Sequence, residues 1–499
     1  MTDASKKLSF REKAGYSLSD ASANFVFQMF IVFPTAFYVD TIGISAAVMG
    51  TMLLWVRLSD AVTDPIMGVI ADRTNTRWGK FRPWLIWSAI PFAVLFWLTF
   101  TVPDSFQGSA RIWYVVITYT VLMMAYTMNN VPYAALNGVM TGNSGERTSL
   151  SSYRFVAAMG ASFIVQGLTL PLVMKFGDGT RTDPSGWSAT VAIYAAISVV
   201  FFVITFFSVK ERVLPPKDQK HDLKQDIREV LHNRPWLAMF GMVLFVFITL
   251  SLRGNANYVF ITRYLDVEAL RSFIEGVGLT ATAAQIESPS LGLKILDLFG
   301  MVVKPGADPA GVGFAVLSMT GALVQILGVL SAKKLADLFG KKAVFTAGLA
   351  GTAVFQAMYF FAAPGDVSMV FWLTVLTNVC YGPTIPLLWA MIADCADWSE
   401  WKNNRRSTAF VFAGMVFALK AGLGFGGAIA GWLLSVYGYS ALTANDPEVL
   451  LGVRKMVSFY SAGFFGVGVV FMFFYPISKH VALRMSDDLE ERRRKAASA

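Results

Sequence analysis

The feature that most constrains this chain is the return, twelve times, of apolar stretches close to the ~20 residues that an α-helix needs to cross a bilayer. They are read at 21–40, 45–70, 83–102, 112–138, 150–174, 187–209, 236–259, 312–332, 343–363, 368–393, 408–437 and 456–477. In hydrocarbon each backbone N–H and C=O must find its partner inside its own segment, so such stretches predict helices. Composition agrees. Of 499 residues 55% are hydrophobic and 15% charged, with a mean hydropathy of +0.53, whereas soluble domains carry about a quarter charged residues. The N-terminal MTDASKKLSFREK is polar and basic with no short apolar core, so the first apolar segment is expected to stay as a helix and not be cleaved as a signal peptide. The expectation is an all-α polytopic membrane protein.

The net charge of +9 could point to nucleic acid, but its placement excludes that class. Lys and Arg gather at Lys6–Lys13, Arg73–Arg82, Lys210–Arg234, Lys333–Lys342, Lys402–Arg406 and Arg492–Lys495. Those are the places where an even-numbered bundle with both termini inside puts its cytoplasmic loops, as the positive-inside rule requires. The longest hydrophilic stretch, Lys210–Arg234, divides the spans six and six. We therefore read an N-terminal lobe at 1–209, a cytoplasmic central loop at 210–235, a C-terminal lobe at 236–478 and a cytoplasmic tail at 479–499. The loops GVIADRTNTRWGKFRP and KKLADLFGKKAVF occupy matching places in the two halves, which suggests duplication or else two ordinary basic turns. Residues 264–311 form an outer-face insertion, too short and Gly-interrupted to span, that reads as an interfacial cap or as a decoration. Cys380 falls in an apolar segment and Cys395 in a cytoplasmic-side loop, so no disulfide is expected.

Ionisable side chains inside the spans carry the functional argument, because each costs ~2.5–3.5 kcal/mol at a helix centre. Span 2 reads MLLWVRLSDAVTDPIMG and puts Arg57, Asp60 and Asp64 on one face at i, i+3 and i+7. Two carboxylates one turn apart cannot both stay charged unaided: one takes a proton, or a cation such as Na⁺ sits between them. The competing account is a static Arg57–carboxylate pair that leaves the second acid unexplained. Arg154 in span 5 and Lys420 in span 11 have no acid one turn away on their own helices, which directs both to a central polar cavity. Asp20 and the pair Asn129–Asn130 are further cavity candidates, and Pro65 and Pro132 either free a carbonyl or simply kink their helices.

Enzyme chemistry is not read. His221, His232 and His480 lie in or near the predicted cytoplasmic loops, and no nucleophile and base meet within a span. The run Gly422–Gly427 imitates a dinucleotide motif, but no strand precedes it, and Gly427 with Gly431 better suits close helix packing.

The stretches REKAGYSLSDASANF, VRLSDAVTDPIMGVIADRTNTRWGKFRPW, YTMNNVPYAALNGVMT, ERTSLSSYRF, MIADCADWSEWKNNRRS and ALKAGLGFGGAIAGWLL together resemble the glycoside–pentoside–hexuronide:cation symporter family. The likeness runs from about residue 8 to 480, apart from 264–311. It implies the major facilitator fold, twelve helices in two six-helix lobes. It also implies that Asp60, Asp64, Thr63 and Thr127 hold the coupling cation, Na⁺ or H⁺, with Arg57 in their charge network. Lys420 matches a lysine near that cation site and Arg154 an arginine beside the sugar. The acids Asp394, Asp397 and Glu400 match a cytoplasmic gate. Asn24 and Asn130 stand where the family's melibiose carriers have acids, so this chain resembles its glucuronide and β-xyloside carriers more closely and leaves room for an anionic uronide.

The resulting expectation is a monomeric symporter in a bacterial inner membrane with both termini cytoplasmic, importing a glycoside, oligosaccharide or hexuronide and needing no cofactor. Asp20, Asn24, Asn130, Arg154 and Lys420 would face the substrate. The alternatives are a lysophospholipid carrier of the same fold and a sugar sensor that does not transport.

Overall fold

A computed structural model describes residues 7–141, 143–213, 230–403 and 408–498. Lys6, most of the central loop with His221, and Arg405–Arg406 lie outside the described residues. Among the described residues, eleven helices are long and apolar enough to cross a membrane, and one bent pair, taken as one span, makes the twelfth. In chain order they are α1 (Phe10–Val32), α2 (Ala46–Arg73), α3 (Arg82–Thr99), α4 (Gly108–Met140), α5 (Glu146–Phe176), α6 (Pro184–Ser208), α7 (Arg234–Tyr264), α8 (Ala310–Phe339), α9 (Lys341–Phe361), α10 (Val367–Lys402), α11 (Phe410–Val436) and α12 (Pro447–Phe473). The architecture is two six-helix lobes, α1–α6 and α7–α12, with both chain ends at one end of the bundle, here the termini end.

Helix α1 begins at Phe10, well before the expected residue 21. Its first turns are polar, so an apolar window misses them, but Ser9 and Glu12 form a capping box that satisfies two of the free N–H groups. The helix breaks at Phe33–Pro34 and resumes over Thr35–Thr41, bent by 52°. The predicted tail is largely a helix, Lys479–Ser498, tied to α10 by a 2.8 Å hydrogen bond that Trp401 donates to Asp488. Cys395 corrects its expected place: it is buried inside α10, among apolar side chains of the second lobe, because that helix runs about nine residues beyond the predicted span.

The two loops that echo each other are built differently. Between α2 and α3, Glu211 accepts three backbone N–H bonds of 2.8–2.9 Å, from Lys80, Phe81 and Arg82, and so caps α3 with a carboxylate. Gly79 has φ +112°, and a Cβ there would lie 2.4 Å from that carboxylate. Between α8 and α9, Gly340 also has a positive φ of +88°, but the cap is cationic, with Lys479 donating to the carbonyls of Asp337 and Leu338 at the C-terminal end of α8.

The insertion between α7 and α8 holds three short helices, Val267–Gly276, Ala283–Glu287 and Leu291–Leu298, none long enough to span. It lies at the far end, opposite the termini, and reaches the first lobe through Lys175–Asp297 at 3.5 Å and Arg181–Asp308 at 2.9 Å.

Close helix crossings join the lobes from mid-depth to the far end. A Cβ on Gly431 of α11 would sit 2.3 Å from the Ala46 carbonyl oxygen of α2, and one on Gly254 of α7 would sit 2.5 Å from that of Ile31 in α1. Only glycine allows backbones to approach so closely. The glycines of the false dinucleotide motif alternate between neighbours: Gly422 and Gly426 meet α7, while Gly424 and Gly427 meet Arg57 and Leu53 of α2. Thr35 hydrogen-bonds Asn255 at 3.1 Å across the same seam. Farther out, Asp40 of the first lobe accepts from Tyr258 at 2.9 Å and Tyr439 at 2.7 Å, with Arg263 at 3.7 Å. The lobes are therefore closed against each other at the far end.

Candidate functional site

The polar interior begins on α2, whose exposed residues Trp55, Leu58, Val62 and Ile66 form one apolar stripe. Arg57 and Asp60 lie on the opposite side and are buried, near the middle of the helix. Their side chains are 3.7 Å apart. Lys420, on α11 of the other lobe, reaches both acids: its ammonium is 3.4 Å from Asp60 Oδ2 and pairs directly with Asp64 Oδ2. Thr127 of α4 donates a 3.0 Å hydrogen bond to the second oxygen of Asp64. Asp60 Oδ2 is buried and has no hydrogen-bond donor, only the two cations at longer range. Thr63 stands half-buried beside Asp64, its hydroxyl without a hydrogen bond among the described residues. Two acids and two bases from both lobes thus meet at mid-depth, beside a cavity of about 300 Å³. Lys420, which the sequence analysis matched to a lysine near the cation site and also grouped with the substrate residues, pairs with these carboxylates.

A second charge pair belongs to the first lobe alone. Arg154 binds Asp20 at 3.0 Å, and its guanidinium lies over the ring of Tyr133, 4.9 Å from the centroid. Tyr16 stacks on that ring. Asn24, one turn beyond Asp20, spends its amide N–H₂ on the Asp20 carbonyl at 2.8 Å. Asn129 is buried within the lobe, donating to Ser88 at 2.9 Å and accepting from Ser19 at 3.4 Å, so it packs helices together; Asn130 is half-buried next to it. The acids Asp394, Asp397 and Glu400 lie at i, i+3 and i+6 near the termini end of α10, and Asp394 receives Lys341 at 2.6 Å.

Between the lobes a separate cavity of about 300 Å³ is lined by α1, α5, α7, α8, α9 and α10. Its polar side chains include Gln28, Gln166, Arg253, Asn257, Gln325 and Asn378, and none of them was singled out from the sequence. Gln166 bridges Gln28 at 3.2 Å and Ser162 at 2.8 Å. Arg253 forms no ion pair or hydrogen bond with another described residue, and Asn257 Oδ1 is buried without a donor. The signal for Arg253 was a charge in the apolar run SLRGNANYVF, the same signal that exposed Arg154. Asp40, at the far-end turn of α1, was missed because it lies at the edge of its predicted span.

The sequence matches the family described as MFS/sugar transport protein over residues 14–289 and 302–479. The unmatched gap covers the helix Leu291–Leu298 and little else, so the departure from the family is narrower than the expected 264–311. The inner membrane symporter YicJ of Escherichia coli (strain K12) is 32% identical over 88% of this chain and 85% of its own. The isoprimeverose transporter of Lactiplantibacillus pentosus is 30% identical over 96% and 91%. Among solved structures, a D-xylose–proton symporter superposes with a TM-score of 0.57 at 15% identity, covering 93% of this chain and 96% of that one, which is a likeness of fold. With twelve spans in two lobes and a family match over most of its length, the chain belongs to the MFS/sugar transport proteins and, among them, to the glycoside–pentoside–hexuronide:cation symporters.

Proposed function

We propose that this chain is a secondary active symporter that imports a glycoside, oligosaccharide or hexuronide with Na⁺ or H⁺, acting as a monomer with both termini cytoplasmic. The observation that carries the reading is Lys420 of one lobe shared by Asp60 and Asp64 of the other at mid-depth. In low dielectric the two acids need a positive charge, and the ammonium supplies it across the lobe boundary. An entering cation, proton or Na⁺, takes over that role, with Thr127 already hydrogen-bonded to Asp64. The ammonium is then free to leave, and one tie between the lobes is released. Ion occupancy and lobe position become linked through a single side chain, and sugar binding between the lobes is reciprocally coupled to the ion. The closed far end corresponds to access from the cytoplasm, and rocking of the lobes opens the other face.

Uptake into proteoliposomes under an imposed Na⁺ gradient or an imposed pH gradient tests this, with labelled xylosides, glucuronides and galactosides offered in turn. One gradient alone should drive accumulation. Asp60→Cys and Asp64→Cys should each abolish accumulation while leaving some sugar exchange. Gradient-driven accumulation at the wild-type level in both variants would remove the carboxylates from the coupling mechanism.

A further inference from the structure

We propose that Arg253 is the docking point for a carboxylate on the transported sugar, so that this chain prefers sugar acids or glucuronides to neutral glycosides; the assignment rests on the sugar-symport reading above. The first support is charge balance. Asp20 has Arg154, Asp60 and Asp64 have Arg57 and Lys420, and Asp40 has Arg263. Arg253 is left over. No Asp or Glu lines its cavity, and no aromatic face stacks on its guanidinium among the described cation–π contacts. A lone guanidinium at membrane depth is costly unless an anion comes to it.

The second support is shape. Guanidinium presents a planar fork that matches a carboxylate with two parallel hydrogen bonds, which a hydroxymethyl group cannot return. Asn257 lies one turn along α7 on the same face, and its buried Oδ1, without a donor, suits a sugar hydroxyl. Across the cavity Gln28 and Gln166 of the first lobe offer a linked pair of amides to the remaining hydroxyls. About 300 Å³ is at the small end of ligand cavities, consistent with a compact glycoside. An anion held by Arg253 of the second lobe and a ring held by amides of the first would draw the lobes together, as a transported ligand must.

The test compares methyl β-glucuronide with methyl β-glucoside, which differ only in carboxylate against hydroxymethyl, by counterflow in proteoliposomes of the full-length protein. The wild type should favour the glucuronide by roughly tenfold or more, the size expected for one charge-assisted bidentate contact. Arg253→Gln should bring the ratio close to one, and Arg253→Lys should retain part of it. Glucoside counterflow in the wild type without preference for the glucuronide, which needs no variant to read, overturns the Arg253 assignment and leaves sugar transport standing. So does a preference that persists in Arg253→Gln. Counterflow of neither sugar by monodisperse wild-type protein overturns the Arg253 assignment, and the sugar-symport reading then falls only if xylosides and galactosides also fail in the gradient-driven uptake.

Discussion

Asp60 is 1% exposed and depends on two cations that reach it from different helices. Lys420→Met would leave it with Arg57 alone at 3.7 Å. Breaking one partner of a buried pair costs about 3 kcal/mol or more, since a charge is left unpaired in low dielectric. The variant should therefore unfold at a distinctly lower temperature in detergent, and Lys420→Met with Asp60→Asn should recover most of the loss. Losses that simply add would mean that the two side chains are not coupled. Such residues were legible because a charge in an apolar run is an anomaly that any window detects. Their partners were not. Lys420 lies 356 residues from Asp64, and no spacing rule crosses from one lobe to the other. Resemblance alone put Lys420 near the cation, and the sequence otherwise sent it to the sugar. Arg253 obeyed the same rule as Arg154 and was passed over among the asparagines of its own helix.

At the scale of the element, spans are the most readable level, because each must satisfy its own backbone and so carries its signal locally. Their ends are less so. The polar first turns of α1 and the amphipathic end of α10 are helical without being apolar, and only the Ser9–Glu12 capping box announces the first of them. Which helices cross closely is half-written, in glycines. Gly427 and Gly431 were read as a packing face, and both indeed meet α2. Gly431→Val would drive a side chain into the Ala46 carbonyl, only 2.3 Å from the position of the first added carbon. Since that crossing lies toward the far end, the substitution should weaken the far-end-closed state more than the helices themselves. In a background without Cys380 and Cys395, a cysteine at Asn257 should react with a thiol reagent added from the far side roughly tenfold faster in Gly431→Val than without it, for a shift of about 1.4 kcal/mol between the two states. Equal rates would show that the α2–α11 crossing does not hold the far end shut.

For the whole molecule, the contacts between lobes form a series along the depth of the bundle. Lys420 with Asp60 and Asp64 stands at the middle, then come Thr35 with Asn255 and the glycine crossings, then Asp40 between Tyr258 and Tyr439, and outermost the insertion held by Arg181 and Asp308. The polar ties among them can be remade in water when the lobes part, and buried apolar side chains of both lobes, such as Phe33 and Phe314, pack beside them. The middle tie differs, because under the proposed coupling a transported cation competes for it. Fixing an outer tie should then stop turnover without harming binding from the termini side. Thr35→Cys with Asn255→Cys, joined by a short thiol cross-linker in the cysteine-free background, should bind the sugar with near wild-type affinity, carry out no counterflow, and recover counterflow when the link is reduced. Counterflow that continues at full rate while the link is intact would mean that the far end does not open during transport, and alternation between the two lobes would lose its mechanical basis in this chain.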